Sequence, residues 1–136
     1  MPTLDAGRLP CHSAGMMELT QEFVFDAAHR LEQGAPENAR LHGHSFYVEV
    51  TLRGEQDGAR GWVRDLDDVK RVVEGIRLDL DHHLLNEVDG LALPTLENIA
   101  RYIFERANKE LPELARVRVK RPSYGQSCSY EPGRST

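Results

Sequence analysis

Apolar and polar residues alternate through ELTQEFVFDAAHR, which places Phe23, Phe25, Ala27 and His29 on one side of an extended segment. Residues 30–40, RLEQGAPENAR, break the alternation with Gly and Pro and read as a loop. It returns in LHGHSFYVEVTLRG. There His44, Phe46, Val48, Val50 and Leu52 share one face, and Ser45, Tyr47, Glu49, Thr51 and Arg53 the other, so the pattern predicts a long amphipathic strand. EQDGARG is a turn, and GWVRD (61–65) reads as a short strand or a lead-in to a helix. The period then becomes helical, with Leu66, Val69, Val72, Val73, Ile76 and Leu80 on one stripe. Asp65 is placed to cap that helix, and Asp67 and Asp68 suit its positive end. Residues 81–94 form a loop. Thr95 opens a second helix with Leu96, Ile99, Ala100, Ile103 and Ala107 buried, which Pro112 stops. ARVRVKR predicts a strand with Val117 and Val119 inward, and SCSYE its hairpin partner.

Two strands, two helices and two strands in this order predict an α+β fold: a four-stranded antiparallel sheet with both helices on one face. Such a sheet leaves its edges open, so association of chains through those edges is expected. Residues 1–17 lack periodicity and mix Pro, Gly, Ser and Asp, which predicts a flexible extension before one domain spanning 18–133.

The 136 residues suffice for one domain with a real core, and 40% hydrophobic with 29% charged residues excludes a disordered or fibrous chain. Seventeen basic against twenty-two acidic residues give a net charge of -5, which argues against a nucleic-acid partner. No apolar run approaches the roughly 18 residues of a membrane helix, and the first residues lack the apolar stretch of a secretory signal. Two cysteines, Cys11 and Cys128, make neither a disulfide framework nor a four-thiolate zinc site, so a cytoplasmic location with reduced thiols is expected.

Histidine carries the chemistry. His42 and His44, two apart at the start of a strand, point to the same side, and Gly43 adds no side chain between them. His29 ends the preceding strand on its buried parity. An H-x-H alone is a weak signal. The joint pattern, with adjacent strands bringing three imidazoles together, suits Zn²⁺ with a fourth position open, although an all-nitrogen site accepts several divalent ions. A second cluster follows the first helix. Asp81 beside His82 suits proton transfer, since a carboxylate fixes the tautomer and raises the basicity of the ring. His82 and His83 equally suit a solvated helix exit, answering its negative end, and spacing alone favours that reading.

Six stretches in order resemble the 6-pyruvoyl-tetrahydropterin synthase and 6-carboxytetrahydropterin synthase family. They are F-x-F-D-A-A-H-R (23–30), L-H-G-H-S-F (41–46), G-W-V-R-D-L (61–66), L-D-H-H-L-L-N (80–86), P-T-x-E-N (94–98) and V-x-V-K (117–120). The resemblance implies the T-fold, in which three subunits join sheets into a barrel, two trimers stack into a hexamer, and active sites lie between subunits. It implies His29, His42 and His44 as zinc ligands, and Asp81 and His82 in the proton-handling group. It also implies a dihydroneopterin triphosphate or related pterin-like substrate whose side chain is rearranged or cleaved, in a branch feeding tetrahydrobiopterin or queuosine.

Two positions depart from the family pattern. A catalytic cysteine is expected shortly before H-G-H, but the loop reads E-N-A-R-L-H-G-H. Asn38 is no base, which leaves Glu37 as the candidate replacement. After V-x-V-K the family carries a glutamate that accepts from the pterin edge; here it is Arg121, which has donors only. Arg121 is then either a surface strand residue or the mark of a pocket for an acceptor-rich or anionic ligand. Glu97 of P-T-x-E-N divides between favouring a helix start and contacting a ligand. Cys128 reads as a small apolar packing residue, and Trp62 and Tyr47 as structural. The reading is a zinc-dependent lyase. The alternatives are a divergent metal-binding homologue that lost synthase activity or takes another ligand, and a metal-storage or regulatory subunit serving a catalytic partner.

Overall fold

The computed structural model describes residues 15–133. Its elements are β1 (Met16–His29), α1 (Pro36–Ala39), β2 (His42–Glu55), α2 (Leu66–Leu80), α3 (Leu96–Asn108), β3 (Leu114–Arg121) and β4 (Gln126–Tyr130). The strands form one antiparallel sheet in the order β1-β2-β3-β4. Helix α2 packs on β1, and α3 on β3 and β4, so one face of the sheet is covered. This is the ββααββ arrangement expected from the pattern.

Strand parity decides what the helices cover. Phe25, Phe46, Val48, Val50, Leu52, Val117 and Val119 are buried together with Val69, Val73 and Ile76 of α2 and Ile99, Ala100 and Ile103 of α3. Phe25 and Phe46 stack across the first two strands with ring centroids 4.9 Å apart. Both helix starts follow the cap rule: Asp65 accepts from the Asp67 N–H and Thr95 from the Asn98 N–H. Leu66, expected on the buried stripe, is exposed because it occupies the first helical position beyond the sheet.

Three expectations are corrected. Met16 and Met17 pair with Glu55 and Gly54, so the sheet takes in the last two residues of the expected 1–17 extension; residues 1–14 of it lie outside the described residues. The loop 30–40 contains the short helix α1, started by Pro36, whose missing N–H is no loss at that position. Of the two readings of GWVRD, the lead-in holds, since Asp65 caps α2 directly after it; no strand forms, and the Asp57 N–H donates to the Trp62 carbonyl and closes a turn. Trp62 and Tyr47 are exposed, since Tyr47 lies on the helix-free face of the sheet opposite Val24.

The free edge of β1 is partly occupied. The His82 N–H donates to the Asp26 carbonyl, the Ala28 N–H donates to the His83 carbonyl, and Leu84 bridges Ala28 in parallel. The loop after α2 is thereby fixed against the strand that carries His29. Among the described residues no helix is long and apolar enough to cross a membrane.

Because Phe46 is fully enclosed, Phe46→Ala is expected to cost about 3–5 kcal/mol. Asp65→Ala, which removes only a cap, is expected to cost about 1 kcal/mol. Urea unfolding of the two variants beside the parent chain checks the ratio.

Candidate metal and proton-transfer site

The register of β1 and β2 builds the first half of the site. His29 stands opposite His42, and Ala27 opposite His44, on the parity that faces the helices. Slipping either strand by one residue would turn its histidines to the other face. The ring centroids of His29, His42 and His44 lie 4.5, 4.9 and 4.8 Å apart pairwise, and one ligand atom from each ring lies within 4.8 Å of the others.

The backbone fixes which nitrogen two of the rings offer. His29 Nδ1 donates to the Pro94 carbonyl at 2.9 Å, and His42 Nδ1 to the Arg40 carbonyl at 2.8 Å. Nε2 is then the lone-pair nitrogen in both rings. His29 Nε2 is buried and meets no partner. A buried lone pair without a donor is costly unless something occupies the space in front of it. Burial pushes the His29 pKa down, although the Pro94 carbonyl opposes this. Burial and the neighbouring His29, Arg121 and His42 lower that of His44 to about 4. Neutral rings with aimed lone pairs are what a borderline metal such as Zn²⁺ requires, and carbonyls on the far nitrogens orient such ligands. The donor set fits a divalent cation.

Two of the motifs singled out for catalysis turn out to brace this cluster. Asn86 accepts from the Arg30 N–H and donates to the Arg30 carbonyl, which pins the chain just past His29. Asn98 donates to the Leu93 carbonyl, next to the Pro94 that holds the His29 ring. Sequence reasoning missed the Pro94 and Arg40 carbonyls and both asparagines. Their motifs had been noted, but a backbone acceptor leaves no mark on composition or spacing.

The second half of the site is at the edge of β1. Asp81 Oδ1 accepts from the Asp26 N–H at 2.9 Å, while Oδ2 lies 2.9 Å from His82 Nδ1 and 3.2 Å from Arg77 Nη1. The Asp26 N–H and then the His82 ring hold the Asp81 carboxyl below its usual range. His82 Nδ1 donates to this carboxylate, so Nε2 is free to take up a proton. His82 adopts φ 59°, a left-handed conformation that strains a residue with a β-carbon. Its N–H bond to Asp26 and its ring bond to Asp81 secure that conformation and leave the ring outside in solvent. His83 Nδ1 turns back to the Asp81 carbonyl.

His82 lines an open depression of about 570 Å³ along the β1 edge, which also touches Asp26, Ala28, Gly43, Ser45 and, from the cluster, His44. Ala28 and Gly43 face each other across the strands as its floor; a Cβ on Gly43 would approach the Ala27 carbonyl to 3.4 Å. Asp26, Ala28, Gly43 and Ser45 have the parity opposite to the three histidines. Within one chain the Asp81–His82 pair and the histidine cluster meet at that depression through His44, but no hydrogen bond or ring contact joins them among the described residues.

The other expected site residues are dispersed. Glu37 is exposed on α1 and is not part of the histidine group. Glu97 is exposed in the first turn of α3. Arg121 reaches the cluster: its Nη1 lies 3.4 Å from His44 Nε2. Cys128 is half-buried against the core, as a small apolar residue would be.

A family model described as 6-pyruvoyl tetrahydropterin synthase matches residues 18–133. A protein of Pyrococcus furiosus described as dihydroneopterin monophosphate aldolase is 43% identical over 99 residues, which cover 73% of this chain and 80% of that one. The human 6-pyruvoyl tetrahydrobiopterin synthase is 34% identical over 119 residues, covering 76% and 82%. The solved 6-pyruvoyl tetrahydropterin synthase of Caenorhabditis elegans superposes with a TM-score of 0.75 at 26% identity, over 91% of this chain and 97% of that one.

The pH dependence of the metal-free protein follows from the buried rings. The folded pKa of His44, about 4, lies below the unfolded value of about 6.5. On acidification the unfolded chain therefore takes up a proton first, and this contribution to stability is lost progressively from pH 6.5 down through about 4. Thermal unfolding of the metal-free chain across this range should fall more steeply than that of His44→Gln; parallel curves would contradict the burial argument.

Proposed function

The chain belongs to the 6-pyruvoyl tetrahydropterin synthase family, and on that basis we propose that it is a zinc-dependent carbon–carbon lyase acting on the side chain of a phosphorylated dihydroneopterin. His29, His42 and His44 hold the metal. The observation that carries this reading is the buried, unpartnered His29 Nε2 in a cluster whose rings are aimed by backbone carbonyls. Zinc bound there would polarise a substrate's side-chain hydroxyls and lower their pKa.

The choice of cleavage follows from what the loop before His42 lacks. Glu37 and Asn38 stand where the family pattern has a thiol, so a synthase reaction using that thiol has no group here to perform it. Breaking the bond between the first two side-chain carbons needs less. His82 Nε2 removes the proton of the second carbon's hydroxyl, and Asp81 stabilises the imidazolium. That hydroxyl carbon becomes an aldehyde as the bond breaks. The released electron pair passes into the adjacent ring C=N, and return of the proton to the first carbon gives a hydroxymethyl dihydropterin and a two-carbon aldehyde phosphate. Glu37 is the reserve base, and Glu97 receives donor groups of the ring. The activity named for the Pyrococcus relative is of this kind.

The lack of any hydrogen bond or ring contact between the two halves among the described residues supports an assembly in which Asp81 and His82 of one copy serve the histidine cluster of another. A trimeric barrel stacked into a cytoplasmic hexamer would provide this.

Zinc-loaded protein incubated with dihydroneopterin monophosphate is expected to release a hydroxymethyl pterin, identified by chromatography with mass detection. His82→Ala should lower kcat by ~10²–10⁴-fold while retaining zinc; His42→Ala should lose the metal. Mixing these two inactive variants under conditions of subunit exchange should restore part of the activity. No product from either mono- or triphosphate would favour the divergent homologue, and no restoration on mixing would place both halves in one chain.

A further inference from the structure

Five arginines are half-buried among the described residues: Arg64, Arg77, Arg106, Arg116 and Arg121. Four of them bridge carboxylates: Arg64 with Glu113, Arg77 with Glu74 and Asp81, Arg106 with Asp79, and Arg116 with Glu18 and Glu131. Arg121 bridges no described carboxylate. Its partners are the Gln126 side-chain carbonyl, which accepts from Nη2, the His44 ring at 3.4 Å from Nη1, and the Tyr124 ring, 6.0 Å from the guanidinium carbon. Its Nε is buried and meets no acceptor. Burial pulls its pKa down, against the fields of Tyr124 and Glu97. Glu97 is thus close enough to be felt, yet it forms no ion pair.

The position follows from strand parity. Arg121 ends β3 two residues past the buried Val119, on the side facing the helices, and pairs with Gln126 at the start of β4. It cannot turn away without leaving the sheet's inner face. A guanidinium there and a divalent cation on His44 repel each other, and the metal would take the lone pair that Nη1 uses. One kind of ligand resolves both problems. An oxyanion between them accepts from the released Nη1 and from Nε, and its charge offsets both cations.

We propose that Arg121 is an anion-recognition residue, which receives a phosphate or carboxylate group of the ligand at the rim of the histidine cluster. This rests on the reading of the cluster as a metal site, not on the bond that is cleaved. It replaces recognition of ring N–H groups by an acid, which an arginine cannot perform, with selection for negative charge. Arg121 thereby restricts the substrate to anionic forms.

Inorganic phosphate and acetate are titrated separately into zinc-loaded protein by calorimetry, with zinc content measured throughout. Phosphate should bind the parent chain, Arg121→Gln should weaken it by roughly 10–100-fold at unchanged zinc content, and Arg121→Lys should retain part of the affinity. Binding of acetate with the same dependence on Arg121 would assign the site to a carboxylate instead. Equal phosphate affinity in the parent and Arg121→Gln, or no binding of either anion, overturns the proposal. Should Arg121→Gln fail to fold, the parent and Arg121→Lys titrations still decide: unchanged affinity in the lysine variant, or no binding to the parent, overturns it. With turnover, Arg121→Gln should raise KM for dihydroneopterin monophosphate far more than for dihydroneopterin; an equal rise in both contradicts charge selection. If phosphate binding depends on Arg121 but no pterin is cleaved, the lyase reading fails and this one stands.

Discussion

The arrangement depends on three imidazoles brought to one point beside a hydrophobic core. Burial against Phe46 disfavours the charged forms of His29 and His44, and the Pro94 and Arg40 carbonyls fix the rings of His29 and His42. The cost is a buried lone pair on His29 Nε2 with no partner in the folded chain.

Around this point each element serves positioning. The β1–β2 register sets the rings side by side, α3 starts where Pro94 must present its carbonyl, and Asn86 and Asn98 hold the two chain segments that enter and leave the cluster. The Asp81–His82 pair is secured differently. It is tied to the edge of β1 by backbone bonds, in a strained conformation that leaves the imidazole exposed. The pair and the histidine cluster therefore stand in the same region of the chain without a direct bond between them.

The two departures from the family pattern lie in different places: Asn38 stands in the loop before His42, and Arg121 ends β3 beside His44. Both changes leave the fold intact, because Asn38 is an exposed helix residue and Arg121 keeps the strand pairing of β3 with β4.

The sequence by itself determined the sheet, the helices and the shared face of His29, His42 and His44, because period-2 and helical spacing report directly which side of an element is buried. It also determined the caps at Asp65 and Thr95, which are local. It did not reveal that Met16 and Met17 belong to β1, since pairing with Glu55 and Gly54 is a long-range fact. Nor did it reveal the role of Asn86 or the carbonyl that orients His29, because their partners lie 56 and 65 residues away. Only the tertiary structure decided that Arg121 faces the cluster rather than solvent, and that Asp81 and His82 are bonded to the edge of β1 and not to the cluster. Spacing fixes the side of a strand, but which groups meet across the sheet depends on packing of the whole chain.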